Sequence, residues 1–288
     1  MFADRLIDAV RSKGAPLCVG LDPLPERIPS LFGEGVEAVR TFGQAIIDIA
    51  ADYAAVIKPQ LGFFEPFGGE GFAAAQALSA HAHTKGLLVL LDAKRGDIGT
   101  TAEGYARAAF SAFNADCVTV NPYLGRDSLA PFLSAAETEQ RGVAVLVRTS
   151  NPGARDLQDL SVDGRPLWRR VGEMIAPEAA RLQGASGWSG LMAVAGATYP
   201  EEARALRATL PTSLFLVPGY GAQGASAAEA VAGFVPGERG LEGGVVSSSR
   251  AVLYPPAAQQ AGTLPAWRAA IAEAMGAAAA ELAAACTR

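Results

Sequence analysis

The chain is 288 residues long, half of them hydrophobic, with 24 basic against 29 acidic residues and a net charge of −5. That is enough apolar material for a large core, and with neither sign gathered into a block it excludes a nucleic-acid-binding surface and points to small-molecule partners. Cys18, Cys117 and Cys286 are odd in number, far apart and outside any metal-ligand spacing, so neither a disulfide framework nor a zinc site is expected, and a reduced, cytoplasmic setting is.

The opening segment MFADRLIDAVRSKG is amphipathic, carries both signs of charge and lacks the apolar centre of a signal peptide. No later segment reads as an uncharged apolar run of membrane length, so no membrane partner is expected. From there the chain alternates short aliphatic runs with longer stretches of helical spacing. The runs are PLCVGLD (16–22), AAVIKPQ (54–60), LLVLLDAK (87–94), CVTVNPY (117–123), GVAVLVRTS (142–150), GLMAVAGAT (190–198), SLFLVPG (213–219) and GGVVSSSR (243–250). Near-continuous apolar strands suit a parallel sheet covered on both faces, and the intervening helices supply the crossovers. Eight β–α units in one chain predict a single-domain α/β TIM (β/α)8 barrel over residues 1–288, with an open doubly wound sheet as the structural alternative. The longest connection, 151–189, reads as an inserted loop followed by a helix from about Pro166 to Gln183, and the alanine-rich stretch PAWRAAIAEAMGAAAAELAAAC reads as the closing helix.

In a barrel of this kind the chemistry sits at the C-terminal ends of the strands. Those ends are unusually polar: Asp22, Lys58, Asp92 with Lys94, Asn121, Thr149 with Ser150, and Ser249 with Arg250. Asp92 and Lys94 are two apart on one strand, so both side chains leave on the same side. Each charge ends an apolar run, where an idle buried charge would be costly to desolvate. Taken singly, Lys58 also fits a strand-end lysine reaching for solvent, and Asp22 before Pro23 fits a turn former. Gly96 and Gly99 let the chain turn sharply away beside the charges. A second group, PGYGAQGA (218–225) and SSSRAVLY (247–254), places a glycine-rich loop and an arginine after strands seven and eight, where this fold holds phosphate, and predicts a phosphate-ester substrate. His81 and His83 fall on a helix away from every strand end and are expected to be non-catalytic.

LDAKRGDIGTTA together with GLDP, IKPQ, NPYLG, TSNPGA, PGYGAQG and SSSRA, in that order from about Gly20 to Tyr254, resembles the orotidine 5'-phosphate decarboxylases, and in particular their longer bacterial (type 2) branch. The Asp-x-Lys-x-x-Asp core is shared with metal-dependent sugar-phosphate decarboxylases and aldol synthases of the same superfamily, which stand as the alternative; GAQG and DAKRGDIG favour the decarboxylase. The resemblance implies a carboxy-lyase of de novo pyrimidine biosynthesis that converts orotidine monophosphate to uridine monophosphate and CO2 without metal or organic cofactor. It implies Lys58, Asp92, Lys94 and Asp97 as catalytic residues, with Lys94 protonating C6 and Asp92 destabilising the substrate carboxylate. It further implies Asp22 and Lys58 at the ribose, Ser150 at the pyrimidine amide edge, and Gln223 and Arg250 at the phosphate, with Pro218 and Tyr220 framing the loop that closes over it. Asp97, Ile98 and Thr101 would enter the neighbouring subunit's site, which implies a homodimer. A carboxylate flanked by two lysines should stay ionised, since one unit pair at ~4 Å and an effective dielectric near 20 is worth roughly 4 kcal/mol.

Overall fold

In the computed structural model, which describes residues 1–221 and 223–287, eight parallel strands close a barrel in sequence order. They are β1 (Leu17–Leu21), β2 (Val56–Pro59), β3 (Leu88–Arg95), β4 (Cys117–Val120), β5 (Gly142–Arg148), β6 (Ser189–Ala195), β7 (Ser213–Val217) and β8 (Gly244–Ser248). β1 closes the ring, setting Gly20 beside Lys58 of β2 and Val19 beside Ser248 of β8. The helices α1 (Phe2–Lys13), α2 (Gly35–Ala50), α3 (Gly68–Thr84), α4 (Gly99–Arg107), α5 (Arg126–Glu139), α6 (Leu167–Ile175), α7 (Pro200–Thr209) and α8 (Leu264–Cys286) surround it. The doubly wound alternative is thereby set aside.

Alternation along each strand divides the core in two. Residues such as Leu17, Val19, Val89, Leu91, Val143 and Val145 face the helices, while Cys18, Val56, Leu88, Leu90, Cys117, Ala144, Met192, Leu214 and Val245 fill the barrel. The lower layers are apolar, and α1 closes the floor by adding Phe2, Ala3, Leu6 and Ile7 to the interior cluster. A Cβ on Gly142 would come within 2.4 Å of the Phe2 ring, so the strand at that point is kept bare for the stopper. Salt bridges hold α1 in place: Arg5 to Asp116 at 2.6 Å, and Arg11 to Glu242 at 2.9 Å.

The connection after β5 is more structured than a loop. A 3-10 turn (Pro152–Ala154), a short helix (Arg155–Gln158) and a two-residue-per-strand hairpin (Ser161–Val162 with Arg165–Pro166) precede α6. The helix expected from Pro166 to Gln183 is split: α6 ends at Ile175 and a 3-10 segment, Ala176–Leu182, follows. Pro177 has no N–H to continue the α-helical ladder, which accounts for the change of pitch. α8 is long and apolar enough to cross a membrane by length and composition, but it carries Arg268, Glu273 and Glu281. Its stripe of Trp267, Ile271, Met275, Leu282 and Cys286 is buried against the body of the protein. Trp267 meets Phe32 and Phe42 there, with ring centroids 4.7 and 5.6 Å apart.

Candidate active site

Going up the barrel axis, the inward column of each strand changes from apolar to polar at the C-terminal rim. Cys18 gives way to Asp22, Val56 to Lys58, Leu90 to Asp92, Cys117 to Thr119, and Val245 to Ser247 and Ser249. The result is a cavity of about 450 Å3 lined by Asp22, Lys58, Asp92, Lys94, Thr119, Ser150, Pro218, Gln223 and Arg250, among others. Nine residues far apart in the chain thus meet because the barrel brings every strand end to one rim.

Asp92 is the hub. One carboxylate oxygen accepts from Lys94 Nζ at 2.6 Å and from the Thr119 hydroxyl at 2.9 Å. The other accepts from Lys58 Nζ and from Gln60 Nε2, both at 2.9 Å. Asp92 and Lys58 are each 6% exposed. Burial pushes the Asp92 carboxyl upward, but the charges of Lys58 and Lys94 outweigh it and hold the group well below the usual carboxylate range. Burial likewise pushes Lys58 downward, and the charges of Asp92 and Asp22 more than reverse it. Asp92 and Lys58 are therefore both ionised throughout the neutral range.

Lys94 differs from its partners. Its side chain is 46% exposed at the cavity mouth, so the ammonium is reachable. Its backbone lies at φ 47°, the left-handed region, in a residue that has a Cβ. The Lys94 N–H donates to Thr119 Oγ1 at 2.9 Å, so one hydroxyl supports both the unusual backbone and the carboxylate two residues earlier. Gly99, where the chain turns from β3 into α4, is also left-handed, at φ 53°.

At the end of β1, beside Lys58, Asp22 Oδ1 is buried without a hydrogen-bond partner and lines the cavity. An orphaned acceptor in such a place suits a ligand hydroxyl. Its loop is held by Tyr254, whose hydroxyl donates to the Asp22 carbonyl at 2.9 Å and accepts from the Leu24 N–H at 2.7 Å. Thr149, the neighbour of Ser150, is fixed from the insertion: Gln158 accepts from the Thr149 N–H at 3.0 Å and donates to its hydroxyl at 2.8 Å. Gln223, Pro218 and Arg250 reach the same cavity, while Ala222 of the glycine-rich motif lies outside the described residues. Tyr220 lines the cavity, but its hydroxyl donates to Glu281 of α8 at 2.6 Å.

Asp97, Ile98 and Thr101 are not among the residues lining this cavity; Asp97 and Ile98 lead into α4, Thr101 lies in its first turn, and Ile98 is 57% exposed. His81 and His83 bond Asp48 and Asp116 on the outer side of α3 and take no part in the cavity. The expected residues omit Gln60 and Thr119. Gln60 stands two past Lys58 and Thr119 two before Asn121, so in each case the i, i+2 rule applied to a known strand-end group points to them.

The model of the "Orotidine 5'-phosphate decarboxylase / HUMPS family" matches residues 15–262 of the chain. The chain is 40% identical over 269 residues to orotidine 5'-phosphate decarboxylase of Rhodopirellula baltica, covering 88% of each. With the enzyme of that name from Azoarcus sp. it shares 44% over 254 residues, covering 88% of this chain and 90% of the relative. Among solved structures, Leishmania donovani OMP decarboxylase superposes with a TM-score of 0.77 at 34% identity, over 98% of this chain and 97% of that one.

Proposed function

The chain belongs to the orotidine 5'-phosphate decarboxylase / HUMPS family, and from that membership we propose that it converts orotidine monophosphate to uridine monophosphate and CO2, as one catalytic domain and without a cofactor. The observation that carries this reading is Asp92 held between Lys58 and Lys94 at 2.9 and 2.6 Å, beneath an open cavity. When the C6 to carboxylate bond breaks, its electron pair stays on C6, with no adjacent carbonyl to spread it. A fixed cation beside C6 stabilises that charge, and the accessible Lys94 ammonium supplies it. The same ammonium then donates its proton to C6, and solvent reprotonates the amine left behind. Asp92, ionised by its neighbours, faces the substrate carboxylate and disfavours it relative to departing CO2.

The remaining roles follow the family resemblance. Asp22 and Lys58 take the ribose hydroxyls, the orphaned oxygen of Asp22 supporting this part of the reading. Ser150 reads the pyrimidine amide edge, and Gln223 and Arg250 take the phosphate beside Pro218. Their binding energy at a remote group helps to hold the ring in place for reaction. Asp97, Ile98 and Thr101 serve the site of the partner subunit in a homodimer; the exposure of Ile98 at 57%, after β3, and of Tyr123 at 77% and Leu124 at 50%, after the neighbouring β4, supports a shared face at the barrel mouth. The buried, free Cys18, Cys117 and Cys286 support a reducing, cytoplasmic setting for this step of pyrimidine synthesis.

The test is direct. Purified protein is given orotidine monophosphate in excess EDTA, and the fall in pyrimidine ultraviolet absorbance is followed. Turnover is expected; its absence would sink the proposal, and turnover that needs added magnesium would favour the metal-dependent branch of the superfamily.

A further inference from the structure

Ser150, Asn151, Gln223 and Arg250 line not only the substrate cavity but also a second groove of about 620 Å3, completed by Pro152, Arg155, Thr198 and Tyr199. The wall the two spaces share includes Gln223 and Arg250, the residues assigned above to the phosphate. No carboxylate lines the groove, which carries two guanidinium groups together with the side-chain donors of Asn151, Thr198 and Gln223. Its charge is therefore +2, in a protein whose net charge is −5. Tyr199 separates two arginines of different standing. Arg148 is buried, lies 3.8 Å from the ring centroid and meets Asp159 at 2.9 Å. Arg155 lies 5.7 Å from the same ring, is exposed, and forms no ion pair among the described residues. An anion entering the groove thus finds a cation not already neutralised.

A phosphate monoester at Gln223 and Arg250 would present its outer oxygens to this groove, and a group esterified there would extend along it toward Arg155. We propose that the groove binds the second phosphate of a pyrimidine nucleoside 5'-diphosphate, with Arg155 as its counter-charge, so that such diphosphates occupy the site as product-like inhibitors. The proposal rests on the assignment of the monophosphate site made above. Arg155 acts on the added phosphate and not on the reacting ring.

Calorimetric titration of the intact protein with uridine monophosphate and uridine diphosphate, in the wild type and in Arg155→Gln, tests it without turnover. The wild type should bind the diphosphate at least as well as the monophosphate. Arg155→Gln should weaken the diphosphate by about five-fold, the scale of one part-exposed charge pair, and the monophosphate by less than about two-fold. Arg155→Lys should keep most of the diphosphate affinity. Wild-type exclusion of the diphosphate while the monophosphate binds, or an equal loss of both nucleotides in Arg155→Gln, overturns the subsite alone. Failure of the monophosphate to bind the wild type overturns the monophosphate assignment and the subsite with it.

Discussion

In the proposed reaction Lys94 combines two demands that conflict at a single residue, since its ammonium is assigned to the reacting carbon while its backbone sits where an L-residue pays roughly 1 kcal/mol or more. The two can be separated by substitution. Lys94→Ala should lose essentially all turnover while remaining folded, measured by the absorbance assay and circular dichroism; retention of turnover would remove Lys94 from the chemistry. Lys94→Gly should be as inactive, yet melt about 2 °C above Lys94→Ala because glycine accepts φ 47° freely. Equal melting points would mean that the backbone conformation carries no strain. Thr119 underpins the same spot through two hydrogen bonds of 2.9 Å, to the Lys94 N–H and the Asp92 carboxylate. Thr119→Val keeps the shape and removes the hydroxyl, so kcat should fall by about ten-fold or more with KM little changed, and Thr119→Ser should restore most of it. A loss confined to KM would place Thr119 in substrate binding instead. Lys58, Asp92 and Lys94 were legible in the sequence because a charge ending an aliphatic run is rare; Thr119 and Gln60 were not, because an uncharged polar residue in or just beyond a strand has many harmless readings.

At the scale of elements, all eight strands could be read in the chain as apolar runs bounded by turn residues, and the closing helix as an apolar stripe. What could not be read is what fills a gap between elements. Arg207 on α7 has the look of a solvent-facing helix residue, yet it is buried and donates to the carbonyls of Leu210, Ser213, Gly233 and Gly243 at 2.6 to 2.9 Å. Its guanidinium stacks 3.8 Å from the centroid of Phe215 on β7, with no ion-pair partner among the described residues. Burial holds its pKa down to about 9. Partners that are main-chain carbonyls from separate loops leave no trace in side-chain pattern. Arg207→Ala should strand several buried acceptors and cost at least about 3 kcal/mol, or roughly 6 °C of melting temperature for a chain of this size. A shift under about 2 °C in a thermal scan would show that water replaces the guanidinium readily. The insertion after β5 was legible only as an insertion, because its function as a brace depends on Gln158 meeting Thr149 and on Asp159 meeting Arg148, contacts made nine and eleven residues apart across a turn.

For the whole molecule, the proposed sharing of Asp97 between subunits makes a prediction that no single variant can. Lys94→Ala and Asp97→Ala homodimers should each be nearly inactive. Once the two are mixed and subunits exchange, about half the dimers are hybrids in which one site carries both lesions and the other carries neither, so about a quarter of wild-type site number should return. If mass spectrometry confirms hybrids and no activity reappears, Asp97 serves its own chain or none. The barrel floor has a different consequence, one of timing. α1 precedes every strand in the chain, yet the interior cluster it completes includes Val245 on β8. During synthesis Phe2, Leu6 and Ile7, each worth about 1.5 to 3 kcal/mol when buried, wait without a partner until nearly the whole barrel has left the ribosome. Over that interval the helix is held in water by Asp4, Arg5, Asp8, Arg11 and Lys13, and the nascent chain presents an uncovered apolar face to whatever chaperone or neighbouring chain it meets first. A helix made before every strand of the barrel finds its seat only after the last of them.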